Sequence, residues 1–211
     1  YMPSVRNLAN TFRNFSLNDE AGTIICSYPN PKKTPTIPIL YSTETMTGFE
    51  YALGGLMLSQ GFIAEGEEII KAVRDRHDGE KRNPWSEFEC GHNYARSMAS
   101  YALLLIYSGF SFDMTKKYIG FNPIKQGDGN YFWSVGNSSG TMQFTGTKQT
   151  LFVMGDALSL SSFGLKDGKK IVSITVDGES IPFIQNKNIL SFAERSVHSI
   201  LTIRTESESC I

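Results

Sequence analysis

The chain has 211 residues, with 20 Lys and Arg against 21 Asp and Glu and a formal net charge of -1. A balance so close to zero excludes nucleic-acid binding through a general basic field, while the length suffices for one substantial core or two small ones. No apolar run approaches the roughly 18 residues of a membrane span and no charged, then apolar, leader opens the chain, so neither a transmembrane segment nor a signal peptide is expected. Cys26, Cys90 and Cys210 are odd in number and widely spaced, which favours reduced thiols over a disulfide framework. The sequons at Asn14 and Asn137 matter only in a secretory pathway.

Val5 to Phe15 places Val5, Leu8, Ala9, Phe12 and Phe15 at near-helical spacing and predicts the end of a helix. Glu20 to Cys26 turns apolar and β-branched. Pro29, Pro31, Pro35 and Pro38 then hold an extended surface loop through Leu40, since each proline restricts its own φ and its predecessor. Ser42 to Thr45 offers N-caps for a helix running to about Gln60, where Gly61 fits a C-terminal cap. Phe49, Ala52, Leu53, Leu56 and Met57 form its predicted apolar face. Gly48, Gly54 and Gly55 each cost about 1 kcal/mol of helix propensity relative to alanine, which tight packing would offset. A hairpin partner follows from Ile63 to about Arg74, with Ile63, Gly66, Ile69, Ile70 and Val73 inward and Glu65, Glu67, Glu68 and Lys71 outward. Its early acids and late bases suit the helix dipole and read as a solvated face. Asp75 to Gly79 lacks the alternating oxygen ligands of a calcium loop.

Arg82 to Arg96, RNPWSEFECGHNYAR, concentrates the chemistry of the chain. Asn83-Pro84 stops any helix arriving from upstream, Gly91 lets the backbone turn, and a helical pattern resumes from about Asn93. Glu87 and Arg96 are nine residues apart, too far for a same-face helix pair, so a tertiary bend must decide where they point. Three readings fit. The two side chains form a salt bridge that pins the loop. Alternatively they grip a sugar, the carboxylate accepting from neighbouring hydroxyls beside the Arg96 guanidinium and the flat face of Trp85. The third is a metal or thiolate site at Glu89, Cys90 and His92, for which no second cluster completes the ligand set. His92 either lines the same pocket as Arg96 or bonds backbone at the helix start.

The following helix, from about Asn93 to Ser108, is apolar nearly all round, so it calls for neighbours on several sides or leaves apolar surface exposed. Phe110 to Gly129 reads as a connector anchored by Phe112, Ile119 and Phe121. Strand signals then follow at Tyr131 to Val135, Thr141 to Phe144, Thr150 to Met154, Leu158 to Phe163, Lys170 to Val176, Ser180 to Ile184, Ile189 to Phe192 and Ser199 to Ile203. Asn137 to Gly140 and Asp177-Gly178 are turn signals. Alternation in IVSITV and SILTIR predicts one wet and one dry face, hence a small antiparallel sandwich or layered sheet with a polar tail after Thr205.

Three runs in order, LNDEAGTIICSYP, then ETMTGFEYALGGLMLSQGFIAEGEEIIKAVRDRHDGEKRNPWSEFECGHNYARSMASYALL, then IGFNPI followed by YFWSVG, form a series far more specific than a short motif. Through them, from Leu17 to Trp133, the chain resembles the C-terminal part of the catalytic region of glycoside hydrolase family 116, which contains the nonlysosomal glucosylceramidases and bacterial β-glucosidases. The resemblance implies an α+β chain, in which helical hairpins forming part of an (α/α) six-hairpin toroid are followed by a small antiparallel β domain. Residues 1–112 would be the last helices of that toroid, 113–129 a connector, 130–205 the β region and 206–211 the tail. Glu87 and Arg96 match the family positions that contact glucose, and Trp85, His92 and Thr47 join them as candidate substrate-binding residues. The two catalytic carboxylates, a glutamate nucleophile and an aspartate acid/base, would precede Tyr1, so no catalytic residue is assigned here. Where relatives commonly carry tryptophan before the Thr-Gly of the helix start, this chain has Met46.

Two function classes follow. One is the glucose-binding wall of a retaining β-glucosidase or glucosylceramidase-like hydrolase, with a β-linked glucoside or glycan as substrate, the rest of the toroid as partner, and no cofactor or metal. The other is a noncatalytic carbohydrate-binding or structural module.

Overall fold

The computed structural model describes residues 23, 45–76, 97–125, 127–165 and 169–206. They fall into two compact units divided between Leu103 and Leu104.

In the first unit, helix α1 (Thr47–Ser59) and helix α2 (Ile63–Arg76) form an antiparallel hairpin, close to the predicted bounds. Gly61 turns the chain between them with a φ of 87°, a conformation that glycine adopts without steric cost. The buried face of α1 differs from the one predicted. Thr47, Gly48, Glu50, Tyr51, Gly54, Gly55, Met57 and Leu58 are buried, whereas Phe49 and Leu56 are 57% and 44% exposed. Backbone proximity explains the rotation. A Cβ on Gly66 would lie 2.8 Å from Leu58 Cγ and 2.9 Å from the Gly54 carbonyl oxygen, so the helices meet through their glycines. Ile69 and Val73 of α2 are buried on the predicted side, and Arg74 lies over the Tyr51 ring at 5.6 Å.

The toroid expectation is overturned. Among the described residues one hairpin is the whole of the paired helical structure, and the architecture is mostly β, with two sheets of five and six strands. The predicted third long helix is also absent as such. Ser97–Tyr101 forms a 3₁₀ turn and Ala102–Ser108 a seven-residue helix, α3, with Met98, Tyr101, Leu104 and Leu105 exposed. An apolar segment without a wet face does expose apolar surface when few neighbours surround it. Gly109 ends α3 at φ 58°, and a Cβ there would stand 2.1 Å from the Asn122 carbonyl oxygen. The orphan carbonyls of Tyr107 and Ser108 accept from the backbone N–H groups of Ile124 and Asn122.

The small β domain is present and begins earlier than expected. The predicted connector contains β2 (Tyr118–Phe121), which pairs with β1 (Ser111–Asp113). Next come β3 (Gly129–Val135), β4 (Ser138–Thr145), β5 (Lys148–Gly155), β6 (Leu158–Leu165), β7 (Ile171–Val176), β8 (Glu179–Ser180), β9 (Ile184–Asn186), β10 (Ile189–Val197) and β11 (Ile200–Thr205). The predicted turn at Asn137 to Gly140 is shorter, since Ser138 already pairs with Val135 and Gly155. One sheet runs β1-β2-β6-β10-β9 and the other β3-β4-β5-β11-β7-β8, antiparallel throughout except for the parallel pair β2 and β6. Side chains from both sheets, including Phe121, Phe163 and Leu190 of the first and Trp133, Leu151 and Leu201 of the second, make one continuous core.

Register explains which residues face inward. Tyr131, Met142, Leu151, Leu201 and Val176 stand opposite one another across five strands, and the last four are buried. One step along, Phe132, Thr141, Phe152 and Ile200 line the other face, where Phe132 is 56% exposed. The Trp133 ring is fully buried and its Nε1–H donates to the Phe152 carbonyl at 3.2 Å, so the largest core side chain also satisfies its one polar atom. The predicted Asp177-Gly178 turn joins β7 to β8, both residues at positive φ as a tight hairpin turn requires.

Candidate functional site

Glu87, Arg96, Trp85 and His92 lie outside the described residues, as do Glu89, Cys90 and the three-reading loop that holds them. Of the predicted sugar contacts, Thr47 is described. It opens α1, is 5% exposed, and follows Met46, which is itself buried and takes the N-cap position in extended backbone. The predicted cap from Ser42 to Thr45 is therefore displaced, and the Met46 side chain cannot accept from the N–H groups of the first turn. Met46 instead gives its carbonyl to the Glu50 N–H at 3.0 Å.

Polar groups gather at this helix start. Thr45, Thr47 and Glu50 are all buried, and the Glu50 Oε1 accepts from the Thr23 N–H at 2.9 Å. The Thr45 and Thr23 hydroxyl oxygens are buried without a hydrogen-bond partner. A carboxylate in the first turn of a helix is favoured by the dipole, and the two buried hydroxyls leave hydrogen-bonding capacity unmet in this part of the structure. Glu50 was not among the residues singled out from the sequence. Its signal is there, for it sits three residues after Thr47 and two turns before Met57 on the same helix face, a position where an acid needs a partner.

A second concave region lies at one end of the β-sandwich, where residues of the β2–β3 connection, the β4–β5 hairpin and β9–β10 surround a cavity of about 150 Å³. The inward row of the larger sheet there reads Phe144, Gln149, Ile203 and Ile174 across β4, β5, β11 and β7. Gln149 is the polar member of that row, 8% exposed, and its Oε1 has no hydrogen-bond partner. The sequence reading passed over it by starting the strand at Thr150, one residue too late to place Gln149 on the dry face. The cavity wall is otherwise well tied: Gln185 accepts from the Ile171 N–H at 2.9 Å and donates to the Lys169 carbonyl at 2.8 Å, and Asp128 accepts from the Gly146 N–H at 2.8 Å.

Elsewhere the best-resolved electrostatics are structural. Partial burial pushes the Asp177 carboxyl up, but the N–H groups of His198, Ser199 and Ile200 and the Ser199 hydroxyl outweigh it and hold the group down to about 2. Among the described residues no cluster of three or more His, Cys, Asp or Glu is placed to hold a metal ion, and no helix is long and apolar enough to cross a membrane. No protein-family model matches the chain, and a search of curated proteins finds no significant match.

Proposed function

We propose that this chain contributes the glucose-binding wall of a retaining β-glucosidase-like glycoside hydrolase, with the nucleophile and acid/base supplied by polypeptide outside these residues. The observation that carries the reading is the ordered series of sequence runs that includes NPWSEFECGHNYAR, in which an indole ring, an acid and a guanidinium lie close together in sequence between Trp85 and Arg96. The buried Thr45, Thr47 and Glu50 at the start of α1 support it, because a sugar pocket needs clustered acceptors and donors shielded from water. In the double-displacement route one carboxylate attacks the anomeric carbon and a second shuttles the proton. Glu87 and Arg96 would act on neither event. They would hold the sugar hydroxyls so that the anomeric carbon meets the nucleophile, and their share of catalysis is positioning.

The experiment is glucose release from an aryl β-glucoside by the full-length native protein, its mass measured first. Glu87→Ala and Arg96→Ala are each expected to cost about 10²-fold or more in kcat/KM, as misplacement of a bound substrate does. The purified 211-residue chain is expected to release no glucose; robust turnover by it would refute the division of labour. A second reading, a noncatalytic carbohydrate-binding module, draws on the sandwich, which buries a complete core of its own. Native protein of this length that binds glycan without turnover selects it.

A further inference from the structure

We propose that the outer face of the five-stranded sheet carries a binding groove for a neutral hexopyranose, stacked on the ring of Tyr118. Backbone register builds the groove. Across β1, β2, β6, β10 and β9 one row reads Ser111, Gly120, Gly164, Ile189 and Asn186, while the alternate row sends Ile119, Phe163 and Leu190 into the core. Two glycines side by side thus form a floor between taller walls. Tyr118 precedes Gly120 by two residues and shares its face of the sheet. A strand side chain ordinarily stands off its sheet, but no Cβ rises from these glycines to hold the tyrosine up. A Cβ on Gly120 or Gly164 would stand 2.3 or 2.4 Å from the Tyr118 hydroxyl oxygen, so the ring lies across both positions. Both glycines are buried although their row faces outward. One face of the ring rests on backbone, and the other is turned to the groove that Tyr118 lines.

The groove holds about 470 Å³, within the roughly 300–1,000 Å³ of small-molecule sites. Its chemistry selects the ligand class. None of the described lining residues is charged, so the wall brings no counter-charge for an ionic ligand. Ser111 Oγ lies 3.4 Å from the Tyr118 hydroxyl oxygen, and each hydroxyl has capacity beyond that one bond. Exposed Asn122 directly follows β2, its place fixed by the backbone N–H that donates to the Ser108 carbonyl. Ile189, 45% exposed, forms the wall on the β10 side. The groove therefore offers an aromatic face, a polar margin and an aliphatic edge. A pyranose divides in the same way, with C–H groups on its flat faces and hydroxyls around its rim. The site lies wholly within the sandwich and uses neither Glu87 nor Arg96, so it does not rest on the glucosidase reading.

The test titrates the full ¹⁵N-labelled chain with three probes: cellobiose, sorbitol, which has hydroxyls but no ring, and benzyl alcohol, which has a flat ring but no girdle of hydroxyls. Saturable shifts of the Tyr118, Gly120, Gly164 and Ile189 amides are expected with cellobiose. Binding should be at least tenfold weaker for sorbitol and at least fivefold weaker for benzyl alcohol. Tyr118→Phe keeps the stacking face and should hold cellobiose within about threefold of wild type, whereas Tyr118→Leu should weaken it about tenfold. Exposed Asn122→Ala leaves the core untouched and should weaken cellobiose about fivefold with an unchanged melting temperature. Absence of saturable shifts at those amides, sorbitol or benzyl alcohol binding as tightly as cellobiose, or indifference to the Asn122 change would each overturn the proposal. Aryl β-glucoside turnover by the full-length protein is read separately, so failure here leaves the glucosidase reading standing.

Discussion

The helical hairpin and the β-sandwich bury themselves in opposite ways. In the hairpin Gly54 and Gly66 let the two backbones approach closely, and Met57, Leu58, Ile69 and Val73 are buried around that contact together with Thr47 and Glu50, while Phe49 and Leu56 stay wet. In the sandwich seventeen buried apolar side chains from both sheets fill one interior, and nearly every inward position is apolar. The sandwich is thus built around volume and the hairpin around proximity. The first tolerates exchange of similar side chains and fails when a large one is lost; the second fails when anything is added.

The largest test of that contrast is Trp133→Ala. It removes the biggest fully buried side chain and the Nε1 donor to Phe152, and is expected to cost about 3–5 kcal/mol, read as a lowered denaturation midpoint of the sandwich by near-ultraviolet circular dichroism. Gly66→Ala is the counterpart in the hairpin. The added methyl meets backbone oxygen as well as Leu58, so overpacking of about 1–3 kcal/mol outweighs the gain of about 1 kcal/mol in helix propensity. Faster amide exchange in 47–59 without change in the sandwich strands would establish it; slower exchange would show that the glycines are incidental.

A smaller effect comes from Asp177, whose carboxylate ties the β7–β8 turn to the β10–β11 turn. Its folded value is lowered, so its contribution is fully present above the ordinary value of 3.8 and is lost as pH falls toward about 2. Wild type should therefore lose sandwich stability across that window, and Asp177→Asn should show a flatter acid profile from a lower plateau. The smallest change expected is in Asp75→Asn, which breaks the exposed Lys71–Asp75 pair on α2 and should alter hairpin stability by no more than about 0.5 kcal/mol in thermal melts.

The β region was legible because alternation is a local signal: IVSITV and SILTIR became β7 and β11 with Ile174, Val176, Leu201 and Ile203 buried, although at the start of β7 Ile171 is buried and Val172 exposed, out of phase with that alternation. β1 and β2 were not, since three and four residues are too few to show a period, and the parallel partnership of β2 with β6 joins segments some forty residues apart. The α1 face was misread because hydrophobic periodicity weighs side chains, whereas here glycine sets the approach. The toroid came from family resemblance alone, and the described residues hold a single hairpin where the resemblance implied several. Of the site, Thr47 is placed and Gln149 was hidden by a strand boundary set two residues late.

The strand orders carry one more consequence, for behaviour at high concentration. A sheet ends in a row of unpaired backbone donors and acceptors, and short terminal strands offer little of it to another chain. Among the described residues β1, β8 and β9 close three of the four borders with three, two and three residues. The fourth border is β3, seven residues long, with exposed Phe132 at its middle and no charged side chain along GNYFWSV. Self-association of the folded sandwich is therefore expected to nucleate along β3, and a lysine at Ser134, exposed on the same strand, is the change that should suppress it.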